Sequence, residues 1–198
     1  LYNPMASGIG GGALILVRAP NGTGIAFDAR ETAPALAKEN MFKGKGPEES
    51  LRGGKAVAVP MEILGLYEAH RAYGKQPWKS LFDEAIDLAR DGIQAHPYLV
   101  SAIESNREVL LQDPLLRETF FVRGAAGGNE VWEPPRVNET CCKRPALANV
   151  LRDVSERGPE ALYKGTHAAG LAQDIRDAGG LVTEADLAAT SARRREPI

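Results

Sequence analysis

The sequence predicts a mixed α/β (α+β) fold in which a two-strand hairpin is followed by mostly helices. Two β-type runs near the start, Ala13-Leu14-Ile15-Leu16-Val17 and Gly24-Ile25-Ala26-Phe27-Asp28-Ala29, flank the turn Ala19-Pro20-Asn21-Gly22, a spacing that suits a hairpin. Beyond Pro60, apolar residues recur three and four apart, the period of amphipathic helices. No internal repeat, low-complexity tract or long linker divides the chain, so residues 1–198 read as one domain.

Gly8-Ile9-Gly10-Gly11-Gly12 is a flexible loop that opens into the first strand, whose unbroken apolar run suits burial on both faces. After the second strand the pattern changes at Pro34 to helix, beginning with Ala35 to Phe42, and a Gly- and Lys-rich loop leads to Val57-Ala58-Val59. Pro60 fits the first turn of a helix with the stripe Ile63, Leu64, Leu66 and Tyr67, closed by Gly74 as C-cap. The next helix carries Trp78, Leu81, Phe82, Ala85, Ile86 and Ala89. Asp83 and Glu84 stand near its start, Arg90 near its end, and Gly92 closes it. A third helix runs from Tyr98 to Leu111 after His96-Pro97. Gly124 to Glu139 is rich in Gly, Pro and Asn and reads as an irregular excursion. Pro145 restarts helices at 146–157, 159–164 and 167–178, and Gly179-Gly180 ends the last of them. Thr183-Glu184-Ala185-Asp186 then resembles a capping box. A new strand can enter at the basic end, Arg193-Arg194-Arg195-Glu196-Pro197-Ile198.

Lys+Arg number 24 against Asp+Glu 26, a balance that removes the electrostatic basis for nucleic-acid binding. The longest apolar run, Ala13 to Val17, is far short of the roughly 18 to 20 residues of a membrane-spanning helix. Cys141 and Cys142 are adjacent, which excludes a disulfide framework and any C-x-x-C spacing and reads as packed or partly exposed thiols. The opening Leu1-Tyr2-Asn3-Pro4, without an initiator Met or signal segment, reads as an internal piece of a longer protein, and the end at Ile198 as a second cut.

Gly8-x-Gly10-x-x-Ala13 fits a relaxed dinucleotide fingerprint, but that motif needs a strand before the glycines and a helix after them, whereas here the β-type run follows. His70, His96 and His167 are far apart and make no metal-ligand spacing, and Glu48-Glu49 reads as a solvated face. No Ser sits in a G-x-S-x-G elbow, so no nucleophile is visible. Arg30, in Asp28-Ala29-Arg30-Glu31-Thr32-Ala33-Pro34, stands at the mouth of the second strand. Alternation sends Asp28 and Arg30 to one face, and Phe27 and Ala29 to the other. Its guanidinium is either a bidentate grip for a ligand carboxylate or a structural salt bridge to Asp28 or Glu31.

Several segments resemble the large subunit of γ-glutamyltransferases (γ-glutamyl transpeptidases): Asn3-Pro4, Ser7-Gly8-Ile9-Gly10-Gly11-Gly12, the motif from Asp28 to Pro34, Val57-Ala58-Val59-Pro60, Leu162-Tyr163-Lys164-Gly165, Gly179-Gly180-Leu181-Val182-Thr183 and Asp186-Leu187. They occur in the family's order over nearly the whole chain, and R-E-T-A-P is the most specific. The resemblance implies an N-terminal-nucleophile hydrolase with an αββα sandwich, of which this chain is an incomplete large-subunit part. A precursor cuts itself, and the Thr exposed at the start of the small subunit attacks the γ-glutamyl amide of glutathione or its conjugates, with its own α-amine as base. Water, an amino acid or a dipeptide then accepts the acyl group from a γ-glutamyl-threonine ester.

By the same resemblance Arg30 binds the glutamyl α-carboxylate, the nucleophilic Thr lies beyond Ile198, and neither cofactor nor metal is required. The partner is the small subunit of the same precursor, and this chain alone is inactive. Cys141 and Cys142 match no family disulfide, and Gly124 to Glu139 is the least family-like part. Two sequons, Asn21-Gly22-Thr23 and Asn138-Glu139-Thr140, make Asn21 and Asn138 glycosylation candidates. They favour an extracellular or membrane-anchored ectoenzyme, the bacterial counterpart being periplasmic. Two other readings stand beside this one: a sister acylase acting on a glutaryl or poly-γ-glutamyl amide, and an inactive homologue kept as a binding or structural module.

Overall fold

Two β-type runs after a glycine-rich entry become β1 (Ala13–Arg18) and β2 (Gly24–Ala29) in the computed structural model, which describes residues 1–6, 8–126 and 129–197. Ser7 of the glycine loop, Gly127 and Gly128 of the excursion, and Ile198 lie outside the described residues. In chain order there follow α1 (Glu62–Tyr73), α2 (Asp83–Asp91), β3 (Ile93–Gln94), α3 (Pro97–Ser105), α4 (Arg107–Gln112) and α5 (Pro114–Phe120). Then come β4 (Val122–Ala126), β5 (Asn129–Glu133), β6 (Thr140–Cys141), α6 (Pro145–Arg157), α7 (Glu160–Tyr163), α8 (Thr166–Asp177), α9 (Glu184–Ala189) and β7 (Arg193–Arg195). The architecture is mixed α+β, an N-terminal hairpin followed mostly by helices, as the sequence predicts.

The chain divides into two compact units, Leu1–Ala6 with Lys79–Arg152, and Ser7–Trp78 with Asp153–Ile198. In the second, β1, β2 and β7 form an antiparallel sheet in that order, with Phe27 opposite both Ile15 and Arg194. α1 lies on the inner face. Gly65 permits that approach, since a Cβ there would collide with the Ala29 Cβ. Phe27 and Ala29 are fully buried on this side, and the Tyr73 ring meets Phe27 edge-on at 6.4 Å. α9 starts at the anticipated capping box, in which the Thr183 side chain accepts from Asp186 N–H while the Asp186 carboxylate accepts from Thr183 N–H.

In the first unit, Ile93, Ala95, Leu99, Ile103 and Phe121 form a core with both cysteines. Gly92 closes α2 in the left-handed region, φ 92°.

Six expectations are corrected. The helix expected to carry Trp78 and Leu81 begins only at Asp83, and Trp78–Leu81 forms a separate 3-10 turn before it. The outer face of β1 is open, Leu14 being 74% and Leu16 68% exposed, because α1 covers only one side of the hairpin. Residues 35–42 form successive turns closed by bonds such as Ala37 N–H to Pro34 O and Met41 N–H to Lys38 O. No buried stripe supports a helix there, and a short helix without one is marginal. In α1 the buried positions are Ile63 and Gly65, while Leu66 is exposed. The helix expected from Tyr98 to Leu111 breaks at Asn106, whose side-chain amide donates to Ala102 O and whose backbone N–H turns to Ile103 O. Within the supposed excursion, β4 and β5 pair as a hairpin from Val122↔Glu133 to Ala126↔Asn129. The Gly-Gly pair between two β-type segments was the available signal.

Candidate functional site: an arginine-lined cleft at the end of the second strand

The glycine loop fixes the end of β2. Gly11 O accepts from Met61 N–H at 2.8 Å and Glu62 N–H at 3.0 Å, satisfying donors at the start of α1. A Cβ at Gly12 would stand 2.5 Å from Ala29 O and 2.8 Å from the Glu31 carboxyl carbon. Only glycine lets the loop pass this closely beside Glu31. Val59 N–H donates to Thr32 O at 2.8 Å and ties the segment after Arg30 to the chain entering α1.

Asp28 and Arg30 share the outward face, opposite buried Phe27 and Ala29, as alternation requires. The Asp28 carboxylate accepts from Arg30 N–H at 3.2 Å and Arg195 Nε at 2.7 Å, and these bonds, in that order, hold its pKa below the usual value. It does not pair with the Arg30 guanidinium. That group is 70% exposed and meets only Glu31, Nη1 to Oε2 at 3.1 Å, among the ion pairs of the described residues.

Asp28, Arg30, Glu31, Thr32, Met61 and Arg193 line a cleft of about 200 Å³. A second cleft, about 300 Å³, shares Thr32, Met61 and Arg193 and extends past Ala35 to Asp186, Thr190 and Ser191. Asp186 is already engaged there: burial pushes its carboxyl up, but bonds from the Thr183 hydroxyl and from Ala35 and Thr183 N–H outweigh this and lower it. At the start of α1, burial raises the Glu62 carboxyl, Gly8 N–H opposes the shift, and the charge of Glu31 adds to it. Arg30 and Arg193 thus line the cleft beside two carboxylates, of which Asp28 is held by Arg195 and Glu31 by Arg30.

Sequence reasoning singles out Arg30 but not Arg193, which lines the same cleft. The signal was present in Arg193-Arg194-Arg195: pairing of β7 with β2 sets Arg193 opposite Asp28, and alternation returns Arg195 to that face. Arg194 takes the other side, over the Phe27 ring at 5.7 Å and bonded to Glu68 at 3.0 Å.

The remaining candidates stand apart. His70 packs on Trp78 and its Nε2 lies 2.8 Å from Gln76 O. His96 caps α3 by accepting from Leu99 N–H, and His167 lies 2.7 Å from an Asp153 oxygen. No group of three or more His, Cys, Asp or Glu that could hold a metal occurs among the described residues. No helix there is long and apolar enough to cross a membrane. Asn21 is exposed at the hairpin turn, its Oδ1 accepting from Thr23 N–H at 3.1 Å and Thr23 Oγ1 at 2.7 Å. Asn138 is held at φ 68° with its N–H donated to Ala95 O. Cys141 and Cys142 are buried and free.

The family model described as Gamma-glutamyltranspeptidase matches residues 1–198. "Glutathione hydrolase 3" of Arabidopsis thaliana is 43% identical over 188 residues, 94% of this chain and 28% of that protein. "Glutathione hydrolase proenzyme 1" of Schizosaccharomyces pombe is 37% identical over 200 residues, 99% of this chain and 30% of that protein. The chain thus spans less than a third of the length of these relatives. The crystal structure of Helicobacter pylori gamma-glutamyltranspeptidase superposes with a TM-score of 0.87 at 28% identity, covering 100% of this chain and 55% of that one. With a full-length family match, identities well above 30% and a shared fold, the chain belongs to the γ-glutamyltranspeptidase family and corresponds to its large-subunit region.

Proposed function

We propose that this chain is the large-subunit segment of an enzyme that moves the γ-glutamyl group of glutathione or its conjugates to water, amino acids or dipeptides, and that Arg30 binds the donor's α-carboxylate. The observation that carries this reading is the Arg30 guanidinium, set at a strand end in the cleft and, among the ion pairs of the described residues, tied only to the neighbouring Glu31. Arg30 gives Glu31 a single nitrogen, Nη1, which leaves the other donors of its 70% exposed guanidinium for a ligand carboxylate. The planar fork then binds both carboxylate oxygens. Arg193 on the same cleft adds positive potential.

In the complete enzyme the Thr of the small subunit attacks the γ-carbonyl. Its hydroxyl proton passes to its own α-amine and on to the departing amine, leaving a γ-glutamyl-threonine ester that the acceptor opens. The role of Arg30 is to hold the far end of the donor so that the carbonyl meets the nucleophile. The small subunit is the partner, no cofactor takes part, and this chain by itself is inactive. The complete protein works outside the cytoplasm, extracellular or periplasmic. In a eukaryotic secretory pathway Asn21, on an open turn, is a better glycan acceptor than Asn138.

The test is Arg30→Ala and Arg30→Lys in the complete enzyme. Losing a desolvated charge-assisted contact costs about 2 to 5 kcal/mol, roughly 30- to several-thousand-fold in kcat/KM, mostly through KM. Self-cleavage stays intact, and Lys rescues little. A matched donor without the α-carboxylate is poor for the wild type and loses little more in Arg30→Ala. Equal loss on both donors, or accumulation of uncut precursor, makes Arg30 a structural residue. A glutaryl amide keeps this carboxylate and lacks only the α-amino group, so the acylase reading is tested separately, by comparing glutaryl with γ-glutamyl donors.

A further inference from the structure

We propose that Cys141 and Cys142 form a vicinal dithiol site that a low-molecular-weight disulfide converts to an intramolecular disulfide. Neighbouring side chains on a strand point to opposite faces, so adjacent cysteines ordinarily hold their sulfurs apart. Here the chain turns at the end of β6: Cys142 adopts φ 63°, in the left-handed region that a side chain rarely takes, and the two Sγ atoms come within 2.8 Å.

That conformation is held from both sides. Before it, Cys141 pairs with Ile93 in the β3–β6 ladder, and Gly92 lies so close that a Cβ there would stand 2.5 Å from Cys141 O. After it, Arg144 N–H donates to Ala89 O at 2.7 Å. The sulfurs sit in the core of Ile93, Ala95, Leu99, Ile103 and Phe121, Cys141 being 8% and Cys142 3% exposed. The hydrogen bond between the sulfurs makes Cys141 the better thiolate, its pKa lowered, and the nearby Arg144 charge favours it while burial and Glu139 oppose it. A disulfide needs about 2.05 Å between sulfurs, a small closure from the observed separation.

The exchange balances without another oxidant. The Cys141 thiolate attacks one sulfur of a disulfide such as glutathione disulfide, forming a mixed disulfide and releasing one thiolate. Cys142, whose thiol the bond to Cys141 and burial push up, passes its proton to the first released thiolate as it attacks the Cys141 sulfur and expels the second, which takes a proton from water, so two protein thiols are oxidised and one small disulfide is reduced to two thiols. Adjacent Cα atoms are only about 3.8 Å apart, below the about 4.4 to 6.8 Å of ordinary disulfides, which makes the bond strained and readily reduced. The site is therefore reversible, and it needs nothing from the proposed acyl transfer.

The test equilibrates the complete native protein, made in a host that does not glycosylate, with glutathione disulfide. The sample is acid-quenched, alkylated and digested with trypsin, and the peptide Val137–Lys143 is weighed. The expected peptide is unalkylated, lighter by two hydrogens, and takes two alkyl groups once reduced. Cys142→Ser is expected to stop at the mixed disulfide on Cys141. A doubly alkylated wild-type peptide, one glutathione left on a single sulfur, or equal oxidation of the urea-unfolded chain in the same buffer overturns the proposal.

Discussion

Asp28 joins two roles in one side chain. Its carboxylate receives the Arg30 N–H at the mouth of the cleft and the Arg195 Nε that ties β7 to β2. The Arg30 bond is the larger cause of its lowered pKa and Arg195 the next. A carboxyl whose pKa is lower in the folded state adds stability that is fully present above its unfolded value, about 3.9, and is lost as pH falls through the lower folded value. The complete wild-type protein is therefore expected to lose stability below about pH 4 more steeply than Asp28→Asn, which starts less stable at pH 7. Urea midpoints measured from pH 7 to about pH 3 check this. Parallel curves for the two proteins would mean that the carboxylate contributes nothing to the sheet.

At the scale of elements, contact between α1 and β2 decides how the arginine strand is seated. Gly65 is mid-helix, where alanine ordinarily improves a helix by about 1 kcal/mol. Here a new Cβ would collide with the Ala29 Cβ, and Ile15 Cδ1 stands 3.5 Å away. The Ala29 Cβ is fixed to its backbone and has no rotamer by which to give way, so overpacking, about 1 to 3 kcal/mol, exceeds the propensity gain. Gly65→Ala is expected to lower the urea midpoint of the complete protein and to weaken donor binding, because the strand carrying Arg30 shifts. Unchanged or higher stability would show that α1 is not seated by that glycine.

For the whole molecule the outer face of the hairpin is decisive. Leu14 and Leu16 point away from α1, beside Asp28 and Ala26 across the hairpin, and are largely exposed. Burying such a side chain contributes about 1.5 to 3 kcal/mol. In the proposed precursor this face is expected to pack against the remainder of the protein, so Leu14→Lys with Leu16→Lys is expected to reduce the yield of folded, self-cleaved enzyme. In the isolated 198-residue chain the same pair is expected to suppress self-association, measured by light scattering. A monodisperse wild-type chain with a sharp thermal transition, and a complete enzyme indifferent to the double substitution, would together refute this.

Much of this was legible in the residues because it is local. The strand bounds, the capping box at Thr183, the glycine at the end of α2 and the common face of Asp28 and Arg30 follow from turn chemistry, capping and a period of two, which act over a few residues. The β4–β5 hairpin was equally local, and composition hid it. Other features depended on distant partners. One partner of the Asp28 carboxylate, Arg195, is 167 residues away. Residues 35–42 carry helix-forming side chains but have no surface to bury them against. Gly12 and Gly65 are required by the backbone or side chain opposite, which no local pattern reveals. The left-handed turn that brings the Cys141 and Cys142 sulfurs together is likewise held by Ile93 and Ala89. Short-range backbone preferences were therefore set by the sequence alone, whereas close approach between elements, and the charges it brings together, was decided only by the tertiary structure.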